Sequence, residues 1–256
     1  MAAGGVDPLL SRFAADAGRV LPLVALWAHG SLALGDFQPG RSDFDLVALL
    51  GARITGSQRQ ELRQMHGTLL REMPLAGKLH CAYVVQDELA DPGRSHLNWA
   101  HNQLRDRILA PVSRRELSRG GLCLLGPAPA TVVPELTDAE LARYIRADLR
   151  DFYYPATDRA DVWREDVWVD LGLLTLARAR VTLLEGRLIT KREALEVLAA
   201  LDAPAEVLRD ICQRRYETGA PLSESWRDRR GSLARAFVRA GIEEVLVLSP
   251  EATGPR

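Results

Sequence analysis

Cysteine is scarce in this sequence, and the three present, Cys81, Cys123 and Cys212, have no paired spacing. That excludes a disulfide framework and a CxxC-type zinc cluster, and a reducing cytosol fits best. An excess of one charge is lacking too: 33 Lys and Arg face 34 Asp and Glu, a formal net charge of −1. Proteins that grip nucleic acid through its phosphates are strongly basic, so nucleic acid is not an expected partner. No apolar run approaches the roughly 20 residues of a membrane helix, and Met1 to Leu10 shows no basic start followed by an apolar core. The expected location is therefore the cytoplasm, with no membrane partner. Internal repeats and low-complexity blocks are missing as well. What remains is a chain of 256 residues, 47% apolar and 26% charged, with enough apolar material for one large domain or two ordinary ones.

The apolar pattern divides that chain. Pro8 to Val20 repeats apolar residues at helical spacing, and Leu21 to Ala28 reads as a strand. A second strand covers Leu46 to Leu50, and a helix follows with Ser57 as N-cap and Leu62, Met65, Leu69 and Leu70 as its buried stripe. Lys78 to Val85 is a third strand; His96 to Leu109 and Ser113 to Arg119 read as short helices, and Leu122 to Leu125 as a further strand. The Gly/Pro-rich segment from Gly126 to Pro134 predicts a boundary between domains 1–134 and 135–256. Beyond it Thr137 and Glu140 form a capping box, and Val162–Leu184, Lys191–Leu201, Ala205–Tyr216 and Leu222–Leu248 read as helices, the last with a break near Gly231 and with strand alternation competing only at Val245 to Leu248. Gly254 to Arg256 reads as a tail. The expected class is α+β: a small mixed sheet flanked by helices, then an all-helical bundle.

One stretch concentrates the chemistry. Between the first two strands lies His29-Gly30-Ser31, and the loop closes with Ser42-Asp43-Phe44-Asp45-Leu46. Glycine lets backbone N–H groups approach an anion, because no Cβ blocks close contact. Asp43 and Asp45 are two apart, so in extended backbone they share a face. Carboxylates converging there repel unless a divalent cation sits between them, and Mg²⁺ held by one or two carboxylates plus substrate phosphates is the common arrangement. The pattern predicts a site for nucleotide chemistry.

G-S, a spacer and S-D-x-D-L resemble the signature of the polymerase-β-type nucleotidyltransferases. The version here, S-D-F-D-L followed by V-A-L-L, is similar to the aminoglycoside adenylyltransferases that act on streptomycin and spectinomycin. The resemblance implies strand, loop, strand, helix, strand at the core, which the pattern above supplies. It also implies ATP as co-substrate, two Mg²⁺ ions held by Asp43 and Asp45, and phosphates lined by Gly30, Ser31 and Ser42. Members of the family place a glutamate, a third ligand and base, on the strand matching Leu79 to Val85. Here that position is His80. An imidazole can accept a hydroxyl proton near neutrality, whereas Mg²⁺ prefers oxygen ligands. His80 replaces the glutamate as base, or ligates a metal, or is an ordinary strand residue with the base elsewhere or absent; with no base, the chain binds nucleotide or drug without turnover.

The C-terminal half carries a second likeness. Leu173 to Arg178, followed by Glu185 to Ala194, resembles the family's L-T-L-x-R helix and G-K-I-x-x-K loop, which implies that Arg178 and Lys191 reach the triphosphate. Acidic residues before that helix, among them Asp166 and Asp170, are candidates for holding a cationic acceptor. The expected activity is transfer of AMP from ATP to a hydroxyl of an aminoglycoside or similar small cation, by a monomer, with pyrophosphate released. An adenylyltransferase with another acceptor is the alternative.

Overall fold

The computed structural model describes residues 8–217 and 223–248. The chain divides into two compact units, residues 1–136 and 137–256, of α+β class. The expected tail at Gly254 to Arg256 lies outside the described residues, as does Leu222, the expected start of the last helix.

In the first unit, α1 (Pro8–Val20), β1 (Leu23–Ala28), the single turn α2 (Gly30–Ala33), β2 (Phe44–Leu50), α3 (Gly56–Glu72) and β3 (Leu79–Val85) follow in order. Then come β4 (Ser95–Ala100), β5 (Gln103–Ile108), α4 (Pro111–Gly120) and β6 (Leu122–Leu125). The sheet order is β5-β4-β3-β2-β1-β6, with β2 and β3 parallel and the other pairs antiparallel. Parallel pairing follows from the α3 crossover, since a tight turn can join only antiparallel neighbours.

Alternation gives the sheet two buried faces. Phe44, Leu46, Ala48, Leu79, Cys81 and Tyr83 pack with Phe13 of α1 and Leu62 and Leu69 of α3. Trp27, Val47, Leu49, Ala82 and Val84 pack on the other side with Leu117 of α4. Each such Leu or Val contributes about 1.5–3 kcal/mol by leaving water.

Two expectations are corrected in this unit. Thr55, not Ser57, caps α3: its side chain accepts from the Gln58 N–H, and the Gln58 side chain accepts from the Thr55 N–H. That reciprocal pair satisfies two orphan donors of the first turn, which Ser57 from inside the helix cannot do. His96 to Leu109, expected as a helix, is the β4–β5 hairpin. Its two-residue turn, His101-Asn102, has φ of 50° and 60°, and two consecutive positive φ values give the twist that matches paired strands. Leu97 and Trp99 alternate into the core, a period of two that overrides helical propensity.

The second unit is helical: α5 (Asp138–Asp148) runs through a wide turn at Leu149–Tyr153 into α6 (Tyr154–Ala156), and α7 (Asp166–Glu185), α8 (Lys191–Ala200), α9 (Ala205–Tyr216) and α10 (Glu224–Leu248) follow. The helix expected from Val162 starts at Asp166, after a short 3₁₀ turn over Val162–Arg164. No break occurs at Gly231, and Val245 to Leu248 is helical. Gly231 is a contact point instead: a Cβ there would lie 2.5 Å from the Trp163 carbonyl oxygen. Among the described residues, no helix is long and apolar enough to cross a membrane.

Candidate active site

Three adjacent strands present one row of polar side chains. Asp45 on β2 is the register partner of His80 on β3. On the other flank the β1–β2 pairing ends at Ala28 and Leu46, and the next residue, His29, donates its backbone N–H to the Asp45 carbonyl at 2.9 Å. Phe44 is buried on the α1/α3 side, so alternation turns Asp43 and Asp45 to the α4 side. Both carboxylates remain part-exposed, 41% for Asp43 and 36% for Asp45, open to a solvated ion. His80 Nδ1 stands 3.7 Å from Asp45 Oδ1, and Lys78 Nζ stands 3.4 Å from Asp43 Oδ1. The ring of His101, carried on the hairpin turn, meets the His80 ring edge-on with centroids 4.9 Å apart.

Gly30 is fixed by its neighbours. Its φ is +62°, and a Cβ would fall 2.6 Å from Asp45 Oδ2. No other residue type lets the turn lie against that carboxylate without displacing it. Its N–H donates to Glu116 Oε2 at 3.2 Å, and the same oxygen lies 2.9 Å from His29 Nδ1. In this arrangement Gly30 contributes space, while its N–H serves Glu116. Ser31 follows inside α2, and its carbonyl accepts from the Asp36 N–H at 2.9 Å. Ser42 is buried and closes the loop: its Oγ accepts from the Gln38 N–H at 3.0 Å and its own N–H donates back to the Gln38 carbonyl.

Oxygen donors on one face suit a hard cation such as Mg²⁺, in the mode in which protein supplies two carboxylates and the nucleotide supplies phosphates. Among the described residues no group of three or more His, Cys, Asp or Glu side chains is gathered as a metal site. What the strand register brings together is the Asp45 carboxylate and the His80 imidazole, with Asp43 just ahead of β2 and beside Lys78.

In the second unit, Arg178 and Lys191 flank one loop. Arg178 on α7 donates from Nε to the Ile189 carbonyl at 3.1 Å. Gly186 ends α7 with φ of 70°, and Thr190 with Glu193 caps α8, so Lys191 is the first residue of that helix. Asp166 and Asp170 belong to an ion-pair chain. Arg230, fully buried, meets Asp166 at 2.7 Å and Asp210 at 2.9 Å; Arg214 meets Asp210 at 3.0 Å and Asp170 at 2.6 Å. Burial raises the Asp170 carboxyl above the ordinary carboxylate range, against the pull of Arg214. Asp166 keeps a side chain 53% exposed.

Local sequence does not point to Glu116, His101 or Lys78, and it leaves His29, just ahead of the G-S turn, open between lining the site and a structural part. Glu116 is 86 residues from Gly30 in the chain, so no local spacing links them. Only the strand register makes His29 a neighbour of Asp45.

Known structures give this fold a counterpart. The spectinomycin adenyltransferase AAD(9) from Enterococcus faecialis, crystallised with ATP and spectinomycin, superimposes with a TM-score of 0.69 at 14% identity, over 93% of this chain and 100% of that one. The two proteins share a fold. No model of a known protein family matches the sequence, and no curated protein sequence matches it.

Proposed function

We propose that this protein is a Mg²⁺-dependent nucleotidyltransferase that moves AMP from ATP to a hydroxyl of a small acceptor, with an aminoglycoside or aminocyclitol as the acceptor class. The observation that carries the reading is the packing of the Gly30 turn against Asp45. A turn that could receive phosphates and a carboxylate that could hold their metal are in contact, on a fold shared with an adenyltransferase.

Each residue then has a task. Asp43 and Asp45 hold magnesium, which when bound neutralises charge on the triphosphate. Gly30, Ser31 and Ser42 shape the phosphate turn, and in the second unit Arg178 and Lys191 are the cations offered to phosphate. His80 accepts the proton of the acceptor hydroxyl as its oxygen forms a bond to the α-phosphorus. The bond from that phosphorus to the β-phosphate bridging oxygen breaks, and pyrophosphate leaves with the electron pair. Asp166, part-exposed, is the better placed of the two acids to meet a cationic acceptor; Asp170 holds Arg214.

Pyrophosphate release from ATP and Mg²⁺, screened across aminoglycosides including spectinomycin and streptomycin, tests the proposal. Acceptor-dependent release that falls at least tenfold in His80→Ala supports it. His80 at the position of the family's glutamate favours a second reading, a binder without turnover. Calorimetric ATP binding with no pyrophosphate release under any acceptor would select that reading.

A further inference from the structure

The buried carboxylate on α4 is the feature of the first unit that the assigned roles leave unused. Glu116 is 6% exposed and His29 is 12% exposed, so their contact is screened from water on most sides. One oxygen of Glu116 receives both the Gly30 N–H and His29 Nδ1. That contact holds the imidazole in one orientation. Gly30 is thereby fixed from two directions. Glu116 holds its N–H, and Asp45 Oδ2 lies against its Cα side, where a Cβ would come within 2.6 Å. The His29 N–H bonded to the Asp45 carbonyl closes the frame.

We infer that Glu116 is the positioning residue of this site. From α4 it sets the spacing between the glycine turn and the Asp45 carboxylate, and it fixes the His29 ring beside them. It touches no reacting atom and acts through Gly30 and His29. A turn released from Glu116 keeps its sequence and loses its aim, and positioning errors near 1 Å weaken such sites strongly. The inference rests on the nucleotidyltransferase reading for its consequence, and on the hydrogen bonds for its cause.

Two measurements test it. In the wild-type protein the Gly30 amide proton exchanges slowly with solvent; rapid exchange, as for an open turn, overturns the inference without any variant. Glu116→Gln keeps the shape and removes the charge. Its expected dissociation constant for Mg·ATP, by calorimetry, is at least tenfold weaker, with the melting temperature within a few degrees of wild type. His29→Gln should weaken Mg·ATP similarly, and the double variant should be no worse than the poorer single one. Glu116→Gln binding Mg·ATP as tightly as wild type contradicts the inference, as does a variant that loses stability alone. A wild-type protein that binds no Mg·ATP overturns the nucleotidyltransferase reading instead, so the two failures are distinct.

Discussion

Gly30 carries more of this site than its size suggests. Replacement by Ala places a Cβ on the Asp45 carboxylate and forces an L-residue to φ of +62°. The expected result is a loss of about 1–2 kcal/mol in stability from the backbone alone, with pyrophosphate release reduced at least a hundredfold. Thermal melts and initial rates check the two effects separately. A second single-residue effect concerns pH. His66 is buried, stacked on Trp99 with centroids 4.0 Å apart, and hydrogen-bonded to the Tyr83 hydroxyl at 2.6 Å. Burial pushes its pKa down to about 3. The unfolded chain then binds a proton below pH 6.5 that the native state refuses, so stability contributed by neutral His66 is complete above that value. It is lost as pH falls toward 3, and its share between pH 7 and pH 5 is about 2 kcal/mol. Urea unfolding at the two pH values, with His66→Gln as the reference, should show a shallower slope in the variant. At this scale the sequence is informative where the signal is local. Asp43, Asp45 and Gly30 sit within one loop and its flanking strands, and their spacing shows in the order of residues. Glu116 acquires its part only once α4 is laid on the sheet.

Elements obey the same division. The capping correction yields a direct contrast: Thr55→Ala should cost about 1 kcal/mol, while Ser57→Ala should change stability by less than half as much. Equal losses in chemical unfolding would contradict the assignment of Thr55 as the cap. The strands legible in the sequence are those whose apolar runs are continuous, β1, β2, β3 and the mostly exposed β6; in the first three, burial on both faces leaves no alternation to misread. The β4–β5 hairpin was not, because its turn is His101-Asn102 and not the Asn-Gly pair that announces such turns. Its outer strand is also largely exposed and charged, so the apolar rhythm that marks a strand is weak there. The helix capped by Thr137 is legible because its box pairs residues three apart; Thr190 with Glu193 is a second box, seen in the structure at the start of α8.

Over the whole molecule, long-range ion pairing is what sequence order conceals. Asp166, Asp170, Asp210, Arg214 and Arg230 come from three helices and form one chain of contacts in the second unit. Removing a partner from a buried pair leaves an uncompensated charge, so Arg230→Ala should cost about 3–5 kcal/mol. Much of that should return in Arg230→Met combined with Asp210→Asn, measured by chemical unfolding. The likeness to an adenyltransferase at 14% identity shows how far residues can diverge while the fold persists. The central claim is that Asp43 and Asp45 hold magnesium against a nucleotide triphosphate. Its most direct test is calorimetric titration of ATP into wild type and Asp45→Asn, each with and without Mg²⁺. Wild type should bind at least tenfold more tightly with Mg²⁺ and Asp45→Asn should show no such gain; equal magnesium dependence in the two proteins would contradict the claim.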